Sequence, residues 1–165
     1  MSIVVCNNNS MSAITSLPSG VGGGSMSLIS TQTASSSSTI SFTSGIDSTY
    51  DEYVFKFINI HADTDTANFT VGFRDGGTDY DATKTTTYFR AYHSEADSTA
   101  FGYKTDQDLA QSTGFQNLCY SLDGDADGNT AGYLHLFNPS STTFVKHFIA
   151  RTSCVHSAPE AHDSY

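Results

Sequence analysis

No stretch of this chain keeps a 3.6-residue apolar period over three turns; its apolar residues fall into short runs that alternate with polar ones. That pattern argues against helices and for strands. Thr39–Thr43 places Ile40 and Phe42 on one face and Ser41 and Thr43 on the other. Asn68–Arg74 does the same with Phe69, Val71 and Phe73. Tyr53–Ile60 is apolar on both faces, which predicts a central strand covered on two sides, with Lys56 near an end or reaching outward. Further strands are expected at Leu28–Thr31, Thr85–Tyr92, Phe115–Leu122, Gly132–Asn138 and Thr143–Arg151. Asp75-Gly76-Gly77 predicts a tight hairpin, and Asn138–Ser141 a turn joining the last two strands. Residues 94–113 are polar and read as a long irregular loop or one with a short helical turn near Asp106-Gln107-Asp108-Leu109. The expected architecture is an all-β antiparallel sandwich.

A length of 165 residues suits one domain with a sizeable core. Residues 1–27 read as a flexible N-terminal arm, because Pro18–Ser25 is a Gly/Ser linker that cannot offset its own ordering entropy. Residues 28–151 are expected to form the sandwich. Residues 152–165, which include Cys154, His156, Pro159 and His162, are expected as a C-terminal tail or a truncated end.

Seventeen acidic residues stand against seven basic ones, for a net charge of −10. Such a surface repels phosphate backbones and anionic lipid, so neither nucleic acid nor membrane is an expected partner. No apolar run reaches 18 residues, and no basic, apolar leader pattern opens the chain. The cysteines, Cys6, Cys119 and Cys154, are odd in number and far apart. Free thiols of a protein made in a reducing cytoplasm are the expectation, with one disulfide left open.

The sharpest motif is Asp123-Gly124-Asp125-Ala126-Asp127-Gly128-Asn129, the opening of a calcium loop. Alternate carboxylates can converge on one cation while Gly128 allows the sharp turn, so Asp123, Asp125, Asp127 and Asn129 are the candidate Ca2+ ligands. The twelfth position, where a bidentate Glu belongs, is Leu134. A solvated acidic turn is the plainer reading. His135 and His147 fall in strands expected to pair and are read as surface neighbours; His93, Glu95 and Asp97 share one loop, a grouping that composition alone produces. No G-x-S-x-G elbow occurs, and nothing fixes the separation of pairs such as Asp63/Asp65 or Asp106/Asp108. The expectation is a non-catalytic protein. Tyr80, Tyr92 and Tyr103 are candidate ligand-binding rings, since aromatic faces flanked by Asp and Asn suit sugars.

The segment from Ser37 to His61, S-S-T-I-S-F-T-S-G-I-D-S-T-Y-D-E-Y-V-F-K-F-I-N-I-H, resembles proteins encoded by marine tailed phages, including phages of cyanobacteria. Thr85–His93 (TTTYFRAYH), Asp108–Phe115 (DLAQSTGF) and Leu134–Phe148 (LHLFNPSSTTFVKHF) are similar as well, and the likeness spans residues 26–151. The resemblance implies a jelly-roll-like domain of a virion structural protein, in a tail, fibre or other particle surface. It implies other virion proteins and further copies of itself as partners, with a host-surface glycan as a ligand. A calcium-assisted carbohydrate-binding module outside any virion is the alternative. Similar proteins continue past the position of Tyr165 with another strand-forming segment, which implies a chain that ends early.

Overall fold

The computed structural model describes residues 26–165. The chain divides into two units, residues 1–31 and 32–165. Of the first, Met26–Thr31 are exposed and lie in no strand, so the strand expected at Leu28–Thr31 is absent. The flexible arm expected over residues 1–27 and the state of Cys6 fall almost wholly outside the described residues.

The second unit is all-β, with eight antiparallel strands and no helix among the described residues. They are β1 (Glu52–Ile60), β2 (Ala67–Val71), β3 (Phe89–Ser94), β4 (Thr99–Tyr103), β5 (Gln116–Leu122), β6 (Thr130–Phe137), β7 (His147–His156) and β8 (Glu160–Ser164). Six form a sheet in the order β1-β6-β7-β8-β3-β4, while β2 pairs with β5. The β2–β5 ribbon joins the sheet at Leu122↔His156 and lies over its inner face. The strands divide six to two, a sandwich-like arrangement.

Alternation explains the layering. Tyr53, Leu134 and Leu136 face inward from β1 and β6 and meet Leu118 of β5, with Phe55, Phe57, Phe69, Val71 and Phe148 packed around them. The Phe57 and Phe69 rings meet edge to face across the layers, 4.9 Å between centroids. The Thr152 hydroxyl donates to the Leu118 carbonyl at 2.6 Å. Cys119 of β5 and Cys154 of β7 form a disulfide between the layers, which corrects the expectation of free thiols. The β2–β5 register shifts between Phe69 and Thr70, and the consecutive Leu118 and Cys119 are both buried, as is Cys154.

Several expectations change. Glu52–Ile60 is a strand, but β1 sits at the sheet edge rather than at its centre, with Lys56 exposed on the outer face. Thr39–Thr43 alternates yet forms no strand, since no neighbour pairs with it. Gly76 takes the positive φ of 121° that a turn there requires, but the following segment does not pair with β2. Residues 94–113 contain β4, paired residue for residue with β3. The expected tail over residues 152–165 is the end of β7 and all of β8. β8 pairs with β7 and β3 on both edges, so its hydrogen bonds, rather than apolar side chains, hold it in the sheet.

Candidate functional site

Strand register lays one continuous row of side chains across the outer face of the six-stranded sheet. Lys56 opposes Tyr133, which opposes Arg151. The Arg151 guanidinium lies over the Tyr165 ring, 4.9 Å from its centroid. Tyr165 exchanges both backbone hydrogen bonds with Phe89, and Phe89 opposes Tyr103. All six residues of this row are exposed. Phe101, 71% exposed, stacks beside Phe89 at 6.2 Å and an interplanar angle of 13°. Six strands at about 4.8 Å spacing make the row about 24 Å long.

Polar groups border the rings. Arg151 donates to Asp163 at 2.8 Å, and this bond holds the Asp163 carboxyl below its usual range and raises Arg151. The Tyr103 hydroxyl donates to Asp108, which pushes its pKa up. His135 meets Tyr133 edge to face, stacks beside Phe137 and contacts Glu52. His135 opposes Ile149 and His147 opposes Phe137, so the two histidines are neighbours on the diagonal.

The expected ring set does not assemble. Tyr103 stands on the outer face, whereas Tyr92 faces inward against His162 and carries the Arg90 guanidinium 4.4 Å from its centroid. Tyr80 is half-buried beside Phe115 and Arg74, in neither sheet face. A row defined by register across six strands leaves no local spacing in the sequence. Phe89, Tyr133, Arg151 and Tyr165 therefore could not be grouped with Tyr103 from the sequence.

The second feature is a cleft of about 690 Å3 at one end of the sheet, between the β3–β4, β5–β6 and β7–β8 connections. Glu95, Asp97, Asp123, Asp125, Asp127 and Glu160 line it, together with His93 and His156. Three of the four expected calcium ligands thus share one wall. Asn129 is not on that wall; its amide reaches Asn59 at 3.5 Å. Carboxylates already hold the loop's backbone: Asp123 accepts the Asp125 amide at 3.1 Å, and Asp65, from the β1–β2 connection, accepts that of Gly124 at 2.9 Å. His93, Glu95 and Asp97 meet here, with His93 Nε2 3.2 Å from Asp97 Oδ1.

Behind the cleft lies a polar interior. Tyr88 donates to Ser164 at 2.6 Å and burial pushes its phenol up to about 12. Arg90 donates to the Tyr120 hydroxyl. Burial pushes His162 down, against the opposing pull of its Glu160 hydrogen bond. His156, Glu160 and His162 present one ligand atom each within 4.8 Å of one another. Comparison with family models, curated proteins and solved structures finds no match for the chain.

Proposed function

We propose that the protein is a non-catalytic structural component of a phage particle, whose six-stranded outer face attaches to a host-surface glycan. The observation that carries the glycan contact is the exposed row Lys56–Tyr133–Arg151–Tyr165–Phe89–Tyr103. Flat rings cover the C–H faces of pyranoses, and the interleaved Arg151, Lys56 and Asp163 offer partners for hydroxyl or acidic substituents. Its length of about 24 Å suits an extended oligosaccharide rather than a single sugar. The particle assignment is supported by the likeness to marine tailed-phage proteins. The number of exposed apolar side chains, among them Phe144, Val145, Ile58 and Ile149, supports assembly with other virion proteins or further copies of the chain. The acidic surface argues against nucleic acid and anionic membrane as partners. Among the described residues no helix is long and apolar enough to cross a membrane.

Binding to host-envelope polysaccharides on a glycan array tests the contact. Tyr165→Ala and Tyr133→Ala should each weaken binding about tenfold, the loss of roughly 1.4 kcal/mol of ring contact. Unchanged binding by both variants rejects the outer face as the site. Mass spectrometry of purified particles tests the assignment, and absence of the chain rejects it.

The grouping of Asp123, Asp125 and Asp127 with Glu95 and Asp97 favours a second reading, a calcium-assisted carbohydrate-binding module. It requires sugar binding that rises with Ca2+ and falls in Asp125→Asn. Calcium-independent binding leaves the first reading alone.

A further inference from the structure

We propose that His156, Glu160 and His162 form a binding site for a divalent transition-metal ion of the zinc class. The β7–β8 hairpin builds it. His156 ends β7 and opposes Glu160, the first residue of β8, while Cys154 opposes His162. Glu160 and His162 are two residues apart and share a strand face, and the cross-strand pair brings His156 beside them. The imidazole rings lie 4.2 Å apart, and His162 Nε2 is 2.7 Å from Glu160 Oε2.

Two independent observations point to a ligand here. His162 is only 1% exposed, and its Nδ1 has no hydrogen-bond partner. A buried polar nitrogen without a partner carries an uncompensated desolvation cost, which an ion bound at Nδ1 removes. The second is the cleft itself, which opens on His156 and Glu160 and is walled by Glu95, Asp97, Asp123, Asp125 and Asp127. Low-dielectric walls of one sign concentrate counter-ions, so the cleft feeds cations toward the hairpin.

Donor chemistry selects the ion. Two imidazoles and one carboxylate suit zinc, nickel or cobalt, whereas calcium and magnesium take oxygen donors. Three protein ligands leave a fourth position open. Tetrahedral ligation at about 2.0–2.2 Å needs donor atoms about 3.4 Å apart, so side chains now within 4.8 Å close by no more than about 1.4 Å. Arg90, whose guanidinium lies over Tyr92 and Tyr120, is the nearby cation that opposes binding.

One local change is diagnostic. The Ala158 amide now donates to His156 Nδ1 at 2.9 Å. Ligation through Nδ1 displaces that amide. Ligation through Nε2 moves the ring proton to Nδ1, which then cannot accept. Either route costs Ala158 its acceptor.

The full chain, stripped with a chelator, should bind one equivalent of Zn2+ by calorimetry, raise its thermal midpoint, and shift the Ala158 amide resonance. Co2+ should give the visible absorption of a tetrahedral site. His156→Ala and Glu160→Gln should each weaken Zn2+ binding at least tenfold. Glu160→Gln keeps an oxygen acceptor for His162, so it guards against a simple folding defect. His162→Ala is avoided because it would hollow a buried position. No saturable Zn2+ binding overturns the proposal. So does binding that both variants leave unchanged, or binding that Ca2+ matches and Asp125→Asn abolishes, since the ion then sits on the acidic loop.

Discussion

The interior of this small sandwich has two unlike ends. At one, Tyr53, Leu118, Leu134 and Leu136 pack with phenylalanines from β1, β2 and β7. At the other, β3, β8 and the start of β5 bury Tyr88, Gln116, His162 and Ser164 around Tyr120 and Arg90. The first end is held by area removed from water and by shape. The second is held by paired polar atoms: Tyr88 to Ser164 at 2.6 Å, Thr86 to Gln116 at 2.5 Å, Gln116 to the Gln107 carbonyl at 3.0 Å. An apolar end tolerates changes of pH and salt but not changes of volume. A polar end depends in addition on every partner it pairs, and it can titrate, bind ions and be switched. The acidic cleft and the His156–Glu160–His162 cluster lie at the polar end, beside Pro159 and Val155.

The largest effect should come from the apolar end. Leu134 is 1% exposed and at the centre of that cluster, so Leu134→Ala should cost about 3–5 kcal/mol in urea unfolding. A loss below 1 kcal/mol would erase the contrast between the ends. Next is the Cys119–Cys154 disulfide, which joins the layers between them. Its sequence separation of 35 corresponds to about 3–4 kcal/mol of chain entropy, to be read as the drop in unfolding midpoint on reduction or in Cys154→Ser.

Tyr88 sharpens the comparison from the polar side. Its folded-state pKa of about 12 lies above the unfolded value near 10. The unfolded chain therefore loses the phenolic proton first. The contribution is complete below pH 10 and is lost as pH rises toward 12, amounting to roughly 2–3 kcal/mol. Unfolding midpoints measured across that window should fall, and Tyr88→Phe should flatten this part of the slope. A similar slope in both proteins would show that burial does not hold the Tyr88 proton.

The smallest effect belongs to neither end. Arg151 and Asp163 are paired on the outer face and substantially exposed, so Arg151→Ala should change stability by less than about 1 kcal/mol. The same variant should weaken glycan binding on an array. Asp163, depressed by that pair, should lose its small contribution as pH falls through its folded pKa. A large stability loss in Arg151→Ala would move this residue from the proposed glycan-binding row into the scaffold.

The same contrast explains what could be read in advance. β1, β2, β5, β6 and the first half of β7 were legible because their inner positions are mainly Tyr, Phe, Leu and Val, and alternation marks such strands. β8 was not legible. Its inward residues are Glu160, His162 and Ser164, and a strand with a polar inner face carries no hydrophobic period. β4 was hidden for a related reason: Phe101 and Tyr103 face solvent while Ala100 and Gly102 face inward. Thr39–Thr43 shows the converse, alternation without a pairing partner. Of the candidate site residues, Asp123, Asp125 and Asp127 were visible as a motif, and the structure adds Glu95, Asp97 and Glu160 around the same space.

Short-range pattern alone determined that this chain is built of strands, that its surface is acidic, and that one turn gathers three carboxylates. Only tertiary structure decided which strands are neighbours, because pairing is chosen by contacts between residues as far apart as Arg90 and Ser164. Cross-strand register is a global property, so the aromatic row, the disulfide and the His156–Glu160–His162 cluster came into being only when the sheet closed around its polar end.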